Sequence, residues 1–247
     1  MNPVLSLEKQ RIGARVGLSM IRKGDFEMAN YLSITIGRQF GSGGREIGER
    51  VGKLLGFRVY DKELLLLAAK KNGVNPDYLR RVDEKATNSL LYTLAMGTSI
   101  YGARHFGMDV PINDQLFITQ TEIIKNAAEE GPSVFIGRCA DYVLRNHEHR
   151  LSIFIHADRE CRIARISKRH EIGREEAIDL MNKTDKKRVN YYNFYTGKKW
   201  GNYENYHLSL NSSLLGIEGT ADMIAQAAKI YLKEYPECEM PDAGKEK

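Results

Sequence analysis

The 247-residue chain carries 37 Lys and Arg against 32 Asp and Glu, a net charge of +5, with 42% hydrophobic and 28% charged residues. This is globular composition and excludes a disordered or fibrous chain; no run approaches the ~18–20 consecutive apolar residues of a membrane helix. Cys139, Cys161 and Cys238 form no CxxC pair and are odd in number, which argues against a disulfide framework and for a reducing, cytoplasmic setting.

Residues 1–29 lack the apolar segment and cleavage pattern of a signal peptide and are expected as an N-terminal arm or peripheral helix. Residues 31–36 (YLSITI) read as a buried strand. A Gly41-Ser42-Gly43-Gly44 turn follows, after which Ile47, Val51, Leu54 and Leu55 recur at the helical period. Gly56 is placed to end that helix in a left-handed cap, and 57–60 reads as a second strand ending at Asp61. From 61 to 130 the signal is mostly helical, strongest at 64–69 and 115–128, with a loop over 98–111. A third strand is expected at 133–136, ending in Gly137-Arg138. A fourth, at 151–155, leads to Asp158 as the cap of a helix from Arg159. A fifth, at 206–210, ends in Asn211-Ser212, before a last helix at 219–232 and a polar tail over 236–247.

Strands alternating with helices imply a mostly parallel sheet covered on both faces, and such sheets bind ligands beyond the carboxyl ends of their strands. The glycine turn, Asp61, Arg138, the helix after Asp158 and Asn211-Ser212 all fall at strand ends. Backbone N–H groups of a glycine-rich turn, with a helix N-terminus behind them, make a concave seat for phosphate oxygens. Residues 37–46 nevertheless depart from the pattern GxxxxGK[ST], because no Lys-Ser/Thr pair is present. Gly44 takes the lysine position, so Arg45, helped by Arg38, has to bring the positive charge; arginine suits phosphate as a bidentate donor. Glu46 stands where a hydroxyl would help hold magnesium, and a carboxylate either ligates that ion or simply favours the helix N-terminus. Asp61 is open to three roles: orienting an acceptor, joining a magnesium–water shell, or capping the next helix.

The runs ITIGRQFGSGGREIGERVGKLLGFRVYDKELL, VFIGRCADYVL and LNSSLLGIEG together resemble the cytidylate kinase-like family, a divergent branch of the P-loop nucleoside monophosphate kinases. The resemblance covers roughly residues 31–235 and implies an α/β, P-loop NTPase-like three-layer fold. A central five-stranded, mostly parallel sheet would be flanked by helices, with 62–130 a helical acceptor-binding insertion and 159–205 a lid region. It implies transfer of the γ-phosphoryl group of ATP, with Mg2+, to a nucleoside monophosphate or a similar small acceptor. Gly41, Ser42, Gly43, Gly44, Arg45 and Glu46 would hold the donor phosphates, and Asn211 and Ser212 would line the adenine pocket. Arg138 would take the acceptor phosphate. In cytidylate kinases an Asp directly follows that arginine; here the place is Cys139 and the nearest acid is Asp141.

Arg159, Arg162, Arg165 and Arg169 share a helical face. By the resemblance, Arg162, Arg165, Arg169 and Arg188 are lid arginines that neutralise the charge of the transferring group, with Asp185 an orienting partner. Residues 181–206 are dense in Tyr, Asn, Lys and Gly, which is unlike core. Two other readings stand beside the kinase: a non-catalytic nucleotide-binding or regulatory protein, and a nucleic-acid-binding protein using the Lys/Tyr-rich stretch 183–206. The expected partner is a small-molecule nucleotide, with neither nucleic acid nor membrane favoured and self-association left open.

Overall fold

The computed structural model describes residues 31–61 and 112–238. The arm at 1–29, the helix at 64–69 and the loop over 98–111 lie outside the described residues, as does the tail from 239. Strand β1 (Ser33–Arg38) is the centre of the molecule. Its alternate residues Ile34 and Ile36 are fully buried, and register puts them beside Val134 and Ile136 on one neighbour and Leu151 and Ile153 on the other. These apolar residues from three strands share one face, which is why the pairing cannot slip by one residue without burying the wrong set.

The remaining elements, in chain order, are α1 (Gly44–Leu55), β2 (Arg58–Tyr60), α2 (Ile112–Glu130), β3 (Ser133–Ile136) and the single turn α3 (Ala140–Val143). They continue with β4 (Arg150–His156), α4 (Arg159–His170), α5 (Arg174–Thr196), a short 3-10 turn (Tyr203–Asn205), β5 (Leu208–Asn211) and α6 (Ser212–Glu234). The sheet is five-stranded in the order β2-β3-β1-β4-β5, and every neighbouring pair is parallel. Three layers result. Helices α1 and α6 cover one face through Ile47, Val51, Ala221 and Ile224; α2 and α3 cover the other through Ile124, Ala128 and Val143 against Phe135. A third, smaller core of Ile163, Ile166, Ala177 and Met181 holds α4 to α5, and Phe40 from the glycine turn packs into it.

Most expected elements appear within two residues of their expected ends, and Gly56 closes α1 in the left-handed conformation. Four local expectations are corrected. Leu54, placed on the apolar stripe of α1, is 45% exposed, because only Ile47, Val51 and Leu55 reach the sheet. The last helix begins at Ser212, directly after β5, and only Gly216 (φ 68°) breaks its helical geometry. The polar stretch from 181 is a continuous helix to Thr196, and Tyr192 and Tyr206 are buried in the core it was expected to avoid. Asp158 stands at the N-cap of α4 but makes no side-chain cap bond; its carboxylate accepts from Asn211 Nδ2 at 3.0 Å.

No helix among the described residues is long and apolar enough to cross a membrane. Because Ile34 is fully buried between two parallel neighbours, Ile34→Ala is expected to cost about 2–5 kcal/mol of stability, read as a lowered midpoint in urea unfolding with an unchanged slope.

Candidate phosphate-binding site

Gly43 is the N-cap of α1 and has φ 77°, a conformation an L side chain resists. A Cβ there would also run into Ile217 of α6. The chain can therefore turn sharply from β1 into α1, and the first-turn amides of Gly44, Arg45 and Glu46, which have no acceptor inside their own helix, face the carboxyl end of the sheet. The carbonyls of the turn are used elsewhere. Arg188 donates to Arg38 O at 2.8 Å, Arg162 Nε to Phe40 O at 2.7 Å and Arg165 to Gly41 O at 2.7 Å. From the other side, Ser212 Oγ donates to Ser42 O at 2.6 Å. The turn is fixed by its oxygens, which leaves its concave side to N–H groups and cations.

Asp185 completes the attachment. One carboxylate oxygen accepts from Phe40 N at 2.8 Å and the other from the buried Arg162 guanidinium. With Arg188 at 3.9 Å, it ties α5 to α4 and both to the turn.

A cavity of about 280 Å3 opens beside the turn. Arg38, Gly44, Arg45, Asp61, Arg165 and Arg188 are among the described residues lining it. Burial and the guanidinium groups of Arg188, Arg138 and Arg45 depress the Arg38 pKa, with Asp61 opposing them. Burial likewise depresses Arg188, against the pull of Asp185. Arginine does not give up its proton under such pressure. Beside them Arg45 is paired with Asp61 at 2.8 Å and Glu49 at 2.9 Å.

Arg138 is aimed by an unusual turn. Gly137, Arg138 and Cys139 all have positive φ (79°, 56° and 55°), closed by a hydrogen bond from Ala140 N to Gly137 O. Two side-chain-bearing residues in the left-handed region store about 1–2 kcal/mol each. The turn lets the Arg38 guanidinium lie against Gly137, where no Cβ intervenes, and sets Arg138 within electrostatic reach of Arg38, Arg188 and Tyr191.

A glycine-rich strand-to-helix turn thus opens a 2-3-1-4-5 parallel sheet, with a cationic crevice at the strand ends. The profile of the cytidylate kinase-like family covers residues 33–214. The chain belongs to that family. This cytidylate kinase-like protein is similar to an uncharacterized protein from Eubacterium ventriosum ATCC 27560, at 27% identity and a TM-score of 0.59, with 80% of this chain and 98% of that one covered. More distant likenesses are to a shikimate kinase from Bacteroides thetaiotaomicron (11% identity, TM-score 0.46, 80% and 98% covered) and a gluconokinase from Sinorhizobium meliloti 1021 (11%, 0.48, 85% and 99%). No curated protein sequence matches this chain.

In this cytidylate kinase-like protein the residues expected at the site divide into two groups. Arg38, Gly41, Gly43, Gly44, Arg45, Asp61, Arg165, Arg169 and Arg188 come together around the cavity. The others work from behind. Ser42 is fully buried and donates to Gln39 O, Ser212 braces the turn, and Asn211 accepts from Ser213 N as the cap of α6. Arg162 is buried where α4 and α5 meet the turn. Glu46 is drawn to Arg169 at 3.6 Å. Asp141 points into the protein, where it accepts from Tyr192 at 2.7 Å, and burial raises its pKa. Burial also pushes the Cys139 thiol up, which suits packing rather than nucleophilic chemistry.

Sequence reasoning missed Phe40 and His170, which pack as neighbouring rings at the cavity edge. Only the apolar character of Phe40 inside a glycine-rich turn hinted at a buried anchor. It also missed that Asp185 bonds the turn itself.

Two outcomes separate positioning from core. Arg138→Gly relieves left-handed strain, so it should leave the melting temperature unchanged or raised while weakening binding of inorganic phosphate, measured by calorimetry, about tenfold or more. Asp141→Asn should stabilise at neutral pH. A raised carboxyl pKa means the folded protein holds its proton more tightly, so the native cost of the charge is fully present above that raised value, fades as pH falls through it, and is gone below the ordinary value of 3.8. The gain in melting temperature of Asp141→Asn should therefore shrink as pH falls towards that value.

Proposed function

We propose that the protein is an ATP-dependent phosphotransferase that transfers a γ-phosphoryl group to a nucleoside monophosphate or a similar small acceptor. Membership of a kinase-like family supports the class. The observation that carries the reading is the gathering of Arg38, Arg45, Arg165 and Arg188 around one carboxylate beside the glycine turn. Phosphoryl transfer asks little covalent chemistry of a protein and much positioning and charge stabilisation. The amides of the turn and Arg45 hold the donor phosphates, with Arg45 and Arg38 in the office of the missing lysine. Arg138 takes the acceptor phosphate, and Arg165, Arg169 and Arg188 lie against charge spread over the transferring group. No strong general base is needed where the acceptor is already an anion.

The donor set at the turn fits a magnesium ion in kind. Mg2+ keeps several waters and binds through one or two carboxylates together with substrate phosphates, and Glu46 and Asp61 are the carboxylates at hand. Bound there, the ion would offset the charge of the donor phosphates. Among the described residues no three His, Cys, Asp or Glu side chains group as a metal cluster. Three free thiols suit a reducing, cytoplasmic compartment.

A non-catalytic nucleotide-binding protein is the second reading, favoured by Arg45–Asp61 and Arg169–Glu46, which engage the same carboxylates that magnesium would use. A coupled assay with ATP, Mg2+ and a panel of nucleoside monophosphates tests the first. Turnover is expected, and Arg45→Ala should lower kcat/KM by about 10–100-fold, the worth of a charged hydrogen bond. Nucleotide binding by calorimetry with no turnover across the panel would favour the second reading.

A further inference from the structure

Helix α5 runs from the glycine turn to α2. One face of it carries Asp185, Arg188, Tyr191 and Tyr195, spaced three or four residues apart. The near end is cationic: Arg188 bonds Arg38 O, and Tyr191 sits beside Arg138. The far end is aromatic. Tyr195 stacks on Phe117 of α2 with centroids 4.1 Å apart, and its hydroxyl donates to Asp114 at 3.0 Å. Between the two ends stands Gln120 of α2, 1% exposed. Its Oε1 accepts from the Tyr191 hydroxyl at 3.4 Å, while its Nε2 is buried without a hydrogen-bond partner.

A buried amide donor left unpaired is costly, and native proteins rarely keep one without a use. We infer that α5 and α2 form the wall that reads the acceptor's ring: the phosphate lies at Arg138 and Arg188, a planar base lies towards Tyr191 and Phe117, and Gln120 Nε2 donates to an acceptor atom on that base. The distance along α5 from Arg188 to Tyr195, about 10 Å at ~1.5 Å per residue, matches the reach from a phosphate through a pentose to a base. The ligand class is a monophosphate whose ring presents a carbonyl or an unprotonated ring nitrogen. Gln120 is then a specificity residue, because a site built around a hydrogen bond rejects a ligand that cannot make it far more strongly than an apolar pocket does.

This inference rests on the phosphotransferase reading, and binding measurements on the full chain separate the two. Calorimetry is run with inorganic phosphate, ribose 5-phosphate and the cytidine, uridine, adenosine and guanosine monophosphates. At least one ring-bearing monophosphate should bind about tenfold or more tightly than ribose 5-phosphate. Gln120→Leu should remove most of that preference, leave phosphate and ribose 5-phosphate binding unchanged, and keep or raise the melting temperature, since an unpaired amide is lost. If the leucine variant does not fold, Gln120→Met carries the same comparison. Phosphate binding with no ring preference in the unaltered protein, or a preference that survives in a folded Gln120 variant, overturns the wall and leaves the reading beneath it standing. Failure of every phosphate compound to bind overturns both.

Discussion

Guanidinium groups brought together without an anion repel, and the structure is organised around holding them in place against that repulsion. Each is pinned by a different device: Arg188 by a main-chain carbonyl and Asp185, Arg45 by Asp61 and Glu49, Arg38 by its seat on Gly137. Arg138 is held by a turn of left-handed residues. Among the described residues Asp61 is the one carboxylate that lines the cavity, so these devices fix the arginines without cancelling their charge. Charges held in place during folding are the kind that act most strongly on a bound anion.

Helices α4 and α5 share in this arrangement instead of standing apart from it. Their arginines bond carbonyls of the glycine turn, Phe40 of the turn enters the small core between them, and Asp185 bonds the turn's own amide. The turn and the two helices are thus joined through both charged hydrogen bonds and apolar packing.

Much of this was readable in the sequence, for identifiable reasons. The central strands are short apolar runs bounded by glycine and polar residues, and Arg38 and Asp61, which line the cavity from the ends of β1 and β2, are charges set at those ends. Helix α5 was hidden because its burial falls on tyrosines, whose hydroxyls make a core face look polar; Tyr192 buries its ring and hands its hydroxyl to Asp141. Asp141 and Arg162 show the opposite error, charged groups that suggest a ligand and instead serve the interior. Ser212 and Asn211 were expected at a base; Ser212 braces the turn, and Asn211 caps α6 and donates to Asp158. Sequence position could not tell the two sides of one loop apart, because a side chain aimed at a ligand and one aimed at the loop's back need the same hydrogen-bonding capacity.

That brace has a bearing on how the protein is made. Ser212 closes a contact with Ser42 across 170 residues of chain, and Ile217 packs where a side chain on Gly43 would stand. A nascent polypeptide emerging from the ribosome would have all five strands of its central sheet before these two residues appear. Until they do, the turn is held by α4 and α5 alone, and the newborn chain would be a nearly finished scaffold whose glycine turn is braced on one side only.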